Sequence, residues 1–254
     1  MNRNENYIGV FDSGVGGISV LRQLKKLMPN ERFLYYGDSA NAPYGCRSTA
    51  EVQALTLASV EKMMEYGLKA LVIACNTATS AAIRALREKY PGFIIVGIEP
   101  ALKPAVDQFP TGKIGVMATD VTLREAKFNT LLARCGAAAE IVKIPAPGLV
   151  ELVETGKADS EEMVTALQSI LVPYQGELDA LVLGCTHYPL ALGAIRRVLG
   201  PRIVLLDGGE GTARETRRRL AEAELLFAGP GEIIWKNSAE NEEILQLCKA
   251  LLEQ

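Results

Sequence analysis

The chain has 254 residues, 27 Lys and Arg against 30 Asp and Glu, and a formal net charge of −3. With 48% hydrophobic and 22% charged residues it has the balance of a globular protein with a sizeable core, which excludes a disordered chain. That charge and a pI of about 5.5 leave no electrostatic footprint for nucleic acid or an anionic membrane, so any small anion it binds must be held by local donors.

In chain order, short β-branched runs predict strands at Tyr7–Phe11, Phe33–Gly37, Ala70–Ala74, Phe93–Val96, Lys113–Met117, Ala139–Ile144, Ala180–Gly184 and Ile203–Leu206. Amphipathic patterns between them predict helices at Val15–Met28, Thr49–Tyr66, Thr77–Lys89 and Ser160–Tyr174. Such alternation implies an α/β fold of right-handed βαβ units with mostly parallel sheets flanked by helices. The order of signals recurs: Ile8-Gly9-Val10 returns 106 positions later as Ile114-Gly115-Val116, and the run Ala70–Cys75 returns 110 positions later as Ala180–Cys185. We expect two pseudo-symmetric domains, residues 1–98 with 208–254 and residues 99–207. Pro100 and Pro104 mark the first crossing between them, and a Gly208–Gly211 turn the second. Ligands of open parallel sheets lie beyond the carboxyl ends of the strands, so facing domains would share one cleft.

The longest uncharged stretch, Ala180–Ile195, is 16 residues and carries Thr186, His187 and Pro189, too short and too polar to span a bilayer. The N-terminus lacks the apolar run of a secretory signal, so a cytoplasmic location is expected. Five cysteines at wide spacing, with no CxxC or HxxxH pair, support neither a disulfide framework nor a metal site.

Cys75 and Cys185 are the sharpest feature. Each closes an apolar strand and precedes polar residues that open a helical pattern, Asn76-Thr77 and Thr186-His187. Free N–H groups there favour a thiolate. Related by the repeat, the two sulfurs would approach one bound molecule from opposite faces, one removing an α-proton and the other returning one. A single strand-end Cys is otherwise an ordinary small hydrophobe. Asp12-Ser13-Gly14-Val15-Gly16-Gly17 permits a tight turn with close backbone approach, and Asp12 suits orienting an ammonium or tuning Cys75; it also reads as a helix cap. A dinucleotide fingerprint, with Asp38 at the ribose distance, is weakened by Ser19 at the third glycine position and by the charge of Asp12.

The turn-rich Asp38–Gly45 segment reads as a cleft-edge loop in which Tyr44 and Gly45 offer backbone donors to a carboxylate. Thr119 stands where Ser13 stands in the first half and reads as a hydroxyl donor or a cap. His187, the only histidine, could stabilise a thiolate or buffer a proton. No Schiff-base lysine setting stands out, so no cofactor is expected. Cys135 and Cys248 read as fillers, Cys46 as reactive without a catalytic role, and Arg214, Arg217, Arg218 and Arg219 as a solvated helix face.

The motifs DSGVGG at Asp12–Gly17, PYGCRS at Pro43–Ser48, CNTAT at Cys75–Thr79 and GCTHYPL at Gly184–Leu190 together resemble the bacterial glutamate racemases, within the superfamily of aspartate, glutamate and hydantoin racemases. The resemblance covers essentially the whole chain. It implies Cys75 and Cys185 as the acid/base pair without a cofactor. It also implies substrate contact or orientation by Asp12, Ser13, Pro43, Tyr44, Gly45, Asn76, Thr77, Thr119, Thr186 and His187. A glutamate beside the histidine is matched by Glu154, with Glu151 nearby. Glutamate as the small-molecule substrate, D-glutamate supply for peptidoglycan and a homodimer are implied as well. The alternatives are a related two-cysteine racemase acting on aspartate or hydantoins, and a non-catalytic two-lobed ligand-binding protein.

Overall fold

The computed structural model describes residues 6–124, 129–130, 132–133 and 139–254; Cys135 lies outside them. Strands β1 (Tyr7–Asp12), β2 (Arg32–Gly37), β3 (Leu68–Ile73), β4 (Ile94–Gly97) and β9 (Glu232–Asn237) form one sheet in the order β4-β3-β1-β2-β9. The second sheet holds β5 (Lys113–Ala118), β6 (Glu140–Pro145), β7 (Ala180–Leu183) and β8 (Val204–Asp207) in the order β8-β7-β5-β6. Every pairing is parallel. β3 is buried at all six positions, so Ala70–Ile73 reads as a continuous apolar run, and its one charge, Lys69, is paired with the buried Glu31 at 2.6 Å.

The repeat extends to single residues. Ile8 pairs with Ala70 and Phe11 with Ile73, while Ile114 pairs with Ala180 and Met117 with Leu183. Beyond each last pair, the Ala74 amide donates to the Phe11 carbonyl and the Gly184 amide to the Met117 carbonyl, both at 2.7 Å. Cys75 and Cys185 therefore leave their sheets at equivalent points. The fifth strand, β9, has no counterpart in the second sheet among the described residues.

Helices α1 (Ile18–Leu27), α2 (Thr49–Met64), α3 (Asn76–Lys89), α4 (Leu102–Gln108), α5 (Asp120–Arg124), α6 (Leu149–Glu154), α7 (Glu161–Leu171), α8 (Leu192–Leu199), α9 (Gly209–Glu222) and α10 (Glu242–Glu253) flank the sheets, with short 3-10 turns between elements. α1 packs on α9 and α10, so the C-terminal segment returns to the first sheet. Gly208–Gly211, expected as a turn, instead opens α9 with Gly208 at the cap. The arginine face of α9 is solvated: Arg218 and Arg219 pair with Glu215, Arg218 also with Glu222, and Arg214 with Glu210.

One apolar cluster spans both halves, from Val10, Val15 and Ile18 to Leu149, Val153 and Tyr188. At about 1.5–3 kcal/mol for each fully buried large aliphatic side chain, that shared core holds the two halves against each other. No described helix is long and apolar enough to cross a membrane.

Candidate active site

β1, β3, β5 and β7 direct their carboxyl ends toward the junction of the two sheets, where the loops that follow them carry the candidate residues. Cys75 caps α3, and its sulfur accepts the Ala78 amide at 3.4 Å while lying 3.5 Å from Ser13 Oγ. It is 5% exposed. Burial pushes this thiol up to about 12, the Asp12 charge adds to that, and the Ala78 and Ser13 hydrogen bonds offset it only in part. Asp12 is fully buried: Oδ1 accepts from the Gly14 amide at 2.9 Å and Oδ2 from Thr186 Oγ1 at 3.0 Å. Burial raises its carboxyl above the ordinary range, and the neighbouring His187 charge opposes the rise. Asp12 does not cap α1, whose cap position is Gly17 without a side-chain bond.

At the second cysteine the structure departs from expectation. An α-helix does not begin after Cys185; Tyr188–Ala191 form a single 3-10 turn, and α8 starts only at Leu192. Pro189 lacks an N–H, which disfavours an immediate α-helical turn. The sulfur instead faces His187 Nδ1 at 3.6 Å, and His187 Nε2 lies 2.6 Å from Glu154 Oε1. That same oxygen accepts the Val15 amide at 2.7 Å, so the ring proton on Nε2 points to Glu154. Burial alone would lower the imidazole; its hydrogen bonds to Cys185 and Glu154 outweigh burial and hold it well above its ordinary value. Glu154, not Glu151, is the carboxylate against the histidine, whereas Glu151 lines a hollow of about 320 Å³ at the cleft edge with Pro43, Gly45, Cys46 and Thr119.

The glycines of DSGVGG make room for protein rather than for a ligand. A Cβ on Gly14 would enter the Glu154 carboxylate, and one on Gly16 would enter the His187 ring. Ser19, the residue that spoils the dinucleotide fingerprint, places its hydroxyl 2.8 Å from the Thr186 carbonyl and 2.9 Å from that of Gly16. The first loop of one half is thereby stitched to the Cys185–His187 turn of the other. Asp38 is occupied too: it accepts from Tyr44 Oη at 2.6 Å and from Asn41 Nδ2 at 3.0 Å, which fixes the cleft-edge loop.

Thr77 Oγ1 lies 3.2 Å from Thr119 Oγ1 and 3.4 Å from Thr122 Oγ1, so three hydroxyls meet across the junction. Thr119 also accepts the Thr122 amide at 3.3 Å, in the manner of a cap. Thr122 was not singled out from the sequence; its place three residues after Thr119 at a helix start was the available signal. Ser39 and Asn237 were missed as well. Asn76 is 4% exposed, and its Oδ1 has no hydrogen-bond partner among the described residues. Gly45 backs directly onto the Thr119 side chain. Cys46 is exposed and Cys248 buried. Among the described residues no group of three His, Cys, Asp or Glu side chains is placed to hold a metal ion.

Comparison with known proteins agrees with this arrangement. A family model described as Asp/Glu/Hydantoin racemase matches residues 8–216. A glutamate racemase of Clostridium perfringens is 47% identical over 251 residues, covering 97% of this chain and 96% of the relative. The crystal structure of a glutamate racemase from Francisella tularensis in complex with D-glutamate superposes with a TM-score of 0.87 at 26% identity, covering 99% of this chain and 95% of that one. The Escherichia coli glutamate racemase in complex with L-glutamate and the activator UDP-MurNAc-ala gives a TM-score of 0.85 at 33% identity, covering 96% and 95%. Two parallel sheets with matched register, two buried cysteines at their equivalent ends and this full-length similarity place the chain in the Asp/Glu/hydantoin racemase family.

Proposed function

We propose that this chain is a glutamate racemase, interconverting L- and D-glutamate by a two-base mechanism without a cofactor. The observation that carries the reading is the pairing of two buried thiols at register-equivalent strand ends, one near the buried Asp12 carboxylate and the other against the His187 imidazole. The glutamate-bound relatives support the choice of substrate over aspartate or a hydantoin.

Cys75, pushed up to about 12, holds its proton at neutral pH and is the acid of the resting site. His187, held well above its ordinary value by Cys185 and Glu154, faces the Cys185 sulfur at 3.6 Å, and on that geometry Cys185 is assigned as the base. Cys185 takes the α-proton of one enantiomer, a carbanion-like state forms, and Cys75 delivers its proton to the opposite face. After turnover the roles are exchanged, which suits the other enantiomer. Substrate carboxylates are held by Ser13, Thr77, Thr119, Thr186 and the backbone amides of Tyr44 and Gly45, with Pro43 setting the loop before them. The ammonium is met by Asp12 and by the unpartnered Asn76 Oδ1. Residues 1–98 with 208–254 act as one unit and 99–207 as the other. Supply of D-glutamate for peptidoglycan, in the cytoplasm and as a homodimer, follows from the family resemblance.

The test is incubation with L- or D-glutamate in deuterated water, followed by NMR for α-proton exchange and by polarimetry for inversion. A racemase washes in deuterium as it inverts. Binding without exchange would leave only a two-lobed binding protein, and faster exchange on aspartate would move the substrate assignment.

A further inference from the structure

The strand that breaks the symmetry between the halves also reaches the second cysteine. Asn237 ends β9; its Oδ1 accepts the Ala239 amide at 2.9 Å, which leaves Nδ2 to donate to Ser39 Oγ at 2.9 Å. Ser39 accepts that bond, so its own hydroxyl proton is available to Glu154 Oε2, 3.4 Å away. The other Glu154 oxygen is held by the Val15 amide and faces His187, which faces Cys185. A glutamate's terminal torsion is broad, so one anchored oxygen does not fix the carboxylate plane. A contact on the second oxygen does, and through it sets the direction in which the imidazole meets the sulfur.

We propose that Ser39 and Asn237 are positioning residues for the Cys185 half of the reaction, linking the C-terminal strand of one half through Glu154 and His187 to the base of the other. The proposal rests on the racemase reading above. It gives β9 a task in the chemistry beyond closing the edge of its sheet. Because the 3.4 Å contact is long, the effect is one of orientation and amounts to a several-fold change rather than a loss of turnover.

Rate alone does not identify which half is affected. The two enantiomers are mirror images with an equilibrium constant of unity, so kcat/KM changes equally in both directions whichever residue is altered. Primary isotope effects with α-deuterated L- and D-glutamate separate the halves. A slower Cys185 step raises the effect for the enantiomer that Cys185 deprotonates and lowers it for the other. Ser39→Ala and Asn237→Ala are expected to reduce kcat about 3- to 10-fold with KM within about 2-fold. The two isotope effects should move in opposite directions, and Ser39→Thr, which keeps the hydroxyl, should restore both. Ser238→Ala is the control: Ser238 Oγ accepts the Ala40 amide at 3.0 Å, joining the same loop to the end of the same strand off this path, and should match the unaltered chain.

Unchanged isotope effects in both variants, or a rate loss with both effects moving together, overturn the positioning role while the racemase reading stands. Absence of α-proton exchange in the unaltered chain removes both.

Discussion

The two strand ends that carry the cysteines share backbone geometry and little else. At the first, Cys75 sits on a true helix N-terminus, with one amide and one serine hydroxyl near its sulfur, and burial, with the Asp12 carboxylate adding to it, raises the thiol to about 12. At the second, Pro189 follows a turn that never becomes an α-helix at once, and a histidine–glutamate pair replaces the amide cap. The repeated strand register sets two sulfurs at matched positions. The side chains around them differ: a buried carboxylate stands near one and a histidine–glutamate pair against the other. A two-base transfer needs one group that gives a proton and one that takes it, which two identical surroundings would not distinguish.

Removing either sulfur breaks the comparison altogether. Cys75→Ser and Cys185→Ser are each expected to abolish racemisation, by about 10³-fold or more, since a serine hydroxyl is a far weaker acid and base partner at neutral pH. Circular dichroism should show an unchanged fold, and full activity in either variant would sink the two-base scheme.

Replacing His187 by Gln erases the asymmetry while leaving both thiols. A loss of about 10²-fold in kcat/KM is expected, because the imidazole that faces the Cys185 sulfur at 3.6 Å is gone. The stability sign can be checked in the same protein. His187 is raised in the folded state, so its contribution is complete below the ordinary histidine value and is lost as pH rises through the raised one. The unaltered chain should therefore lose stability relative to H187Q across that window in urea melts at stepped pH. Equal pH dependence of the two proteins would contradict a charged His187.

A subtler perturbation moves the pair without deleting it. Gly14→Ala sets a methyl against the Glu154 carboxylate, which must shift away from His187. A loss of about 10-fold is expected, with the fold retained, and an activity near that of the unaltered chain would mean that Glu154 is not needed where it lies.

How much of this was legible in the sequence depends on the range of the interaction. The repeat, the buried strands and both cysteines could be read because apolar runs and recurring tripeptides are local signals. β9 was not foreseen: EIIWKN is an edge strand with only its last residue buried, so it lacks the apolar run that marked the others. The absence of an α-helix after Cys185 was written in Pro189 and was overridden by the likeness to Cys75. Ser39 and Asn237 carry no motif of their own, and their meeting depends on β9 pairing in parallel with β2, nearly two hundred residues away. Glu154 entered through family resemblance, since 33 residues separate it from His187 and no spacing rule joins them.

The smallest expected effect concerns stability, and it bears on the first strand end. Asp12 is fully buried with its carboxyl raised by burial, so the folded chain holds that proton more tightly than the unfolded chain does. Native protein then binds more protons than unfolded protein over the window between the ordinary and the raised value. Stability falls as pH rises through it, and the cost persists at neutral pH. Asp12→Asn removes that charge and keeps the acceptor for the Gly14 amide, while the Thr186 hydroxyl can turn to accept from the new amide. The variant should be more stable at pH 7 by on the order of 1 kcal/mol, or about 2–4 °C in Tm for a chain of this length. It should also turn over more slowly, because the substrate ammonium loses its counter-charge and Cys75 loses the neighbour that keeps its proton in place. A stabilised but slower protein would mean that the buried carboxylate is retained for the reaction at the expense of the fold; a destabilised one would mean that Asp12 holds the junction together.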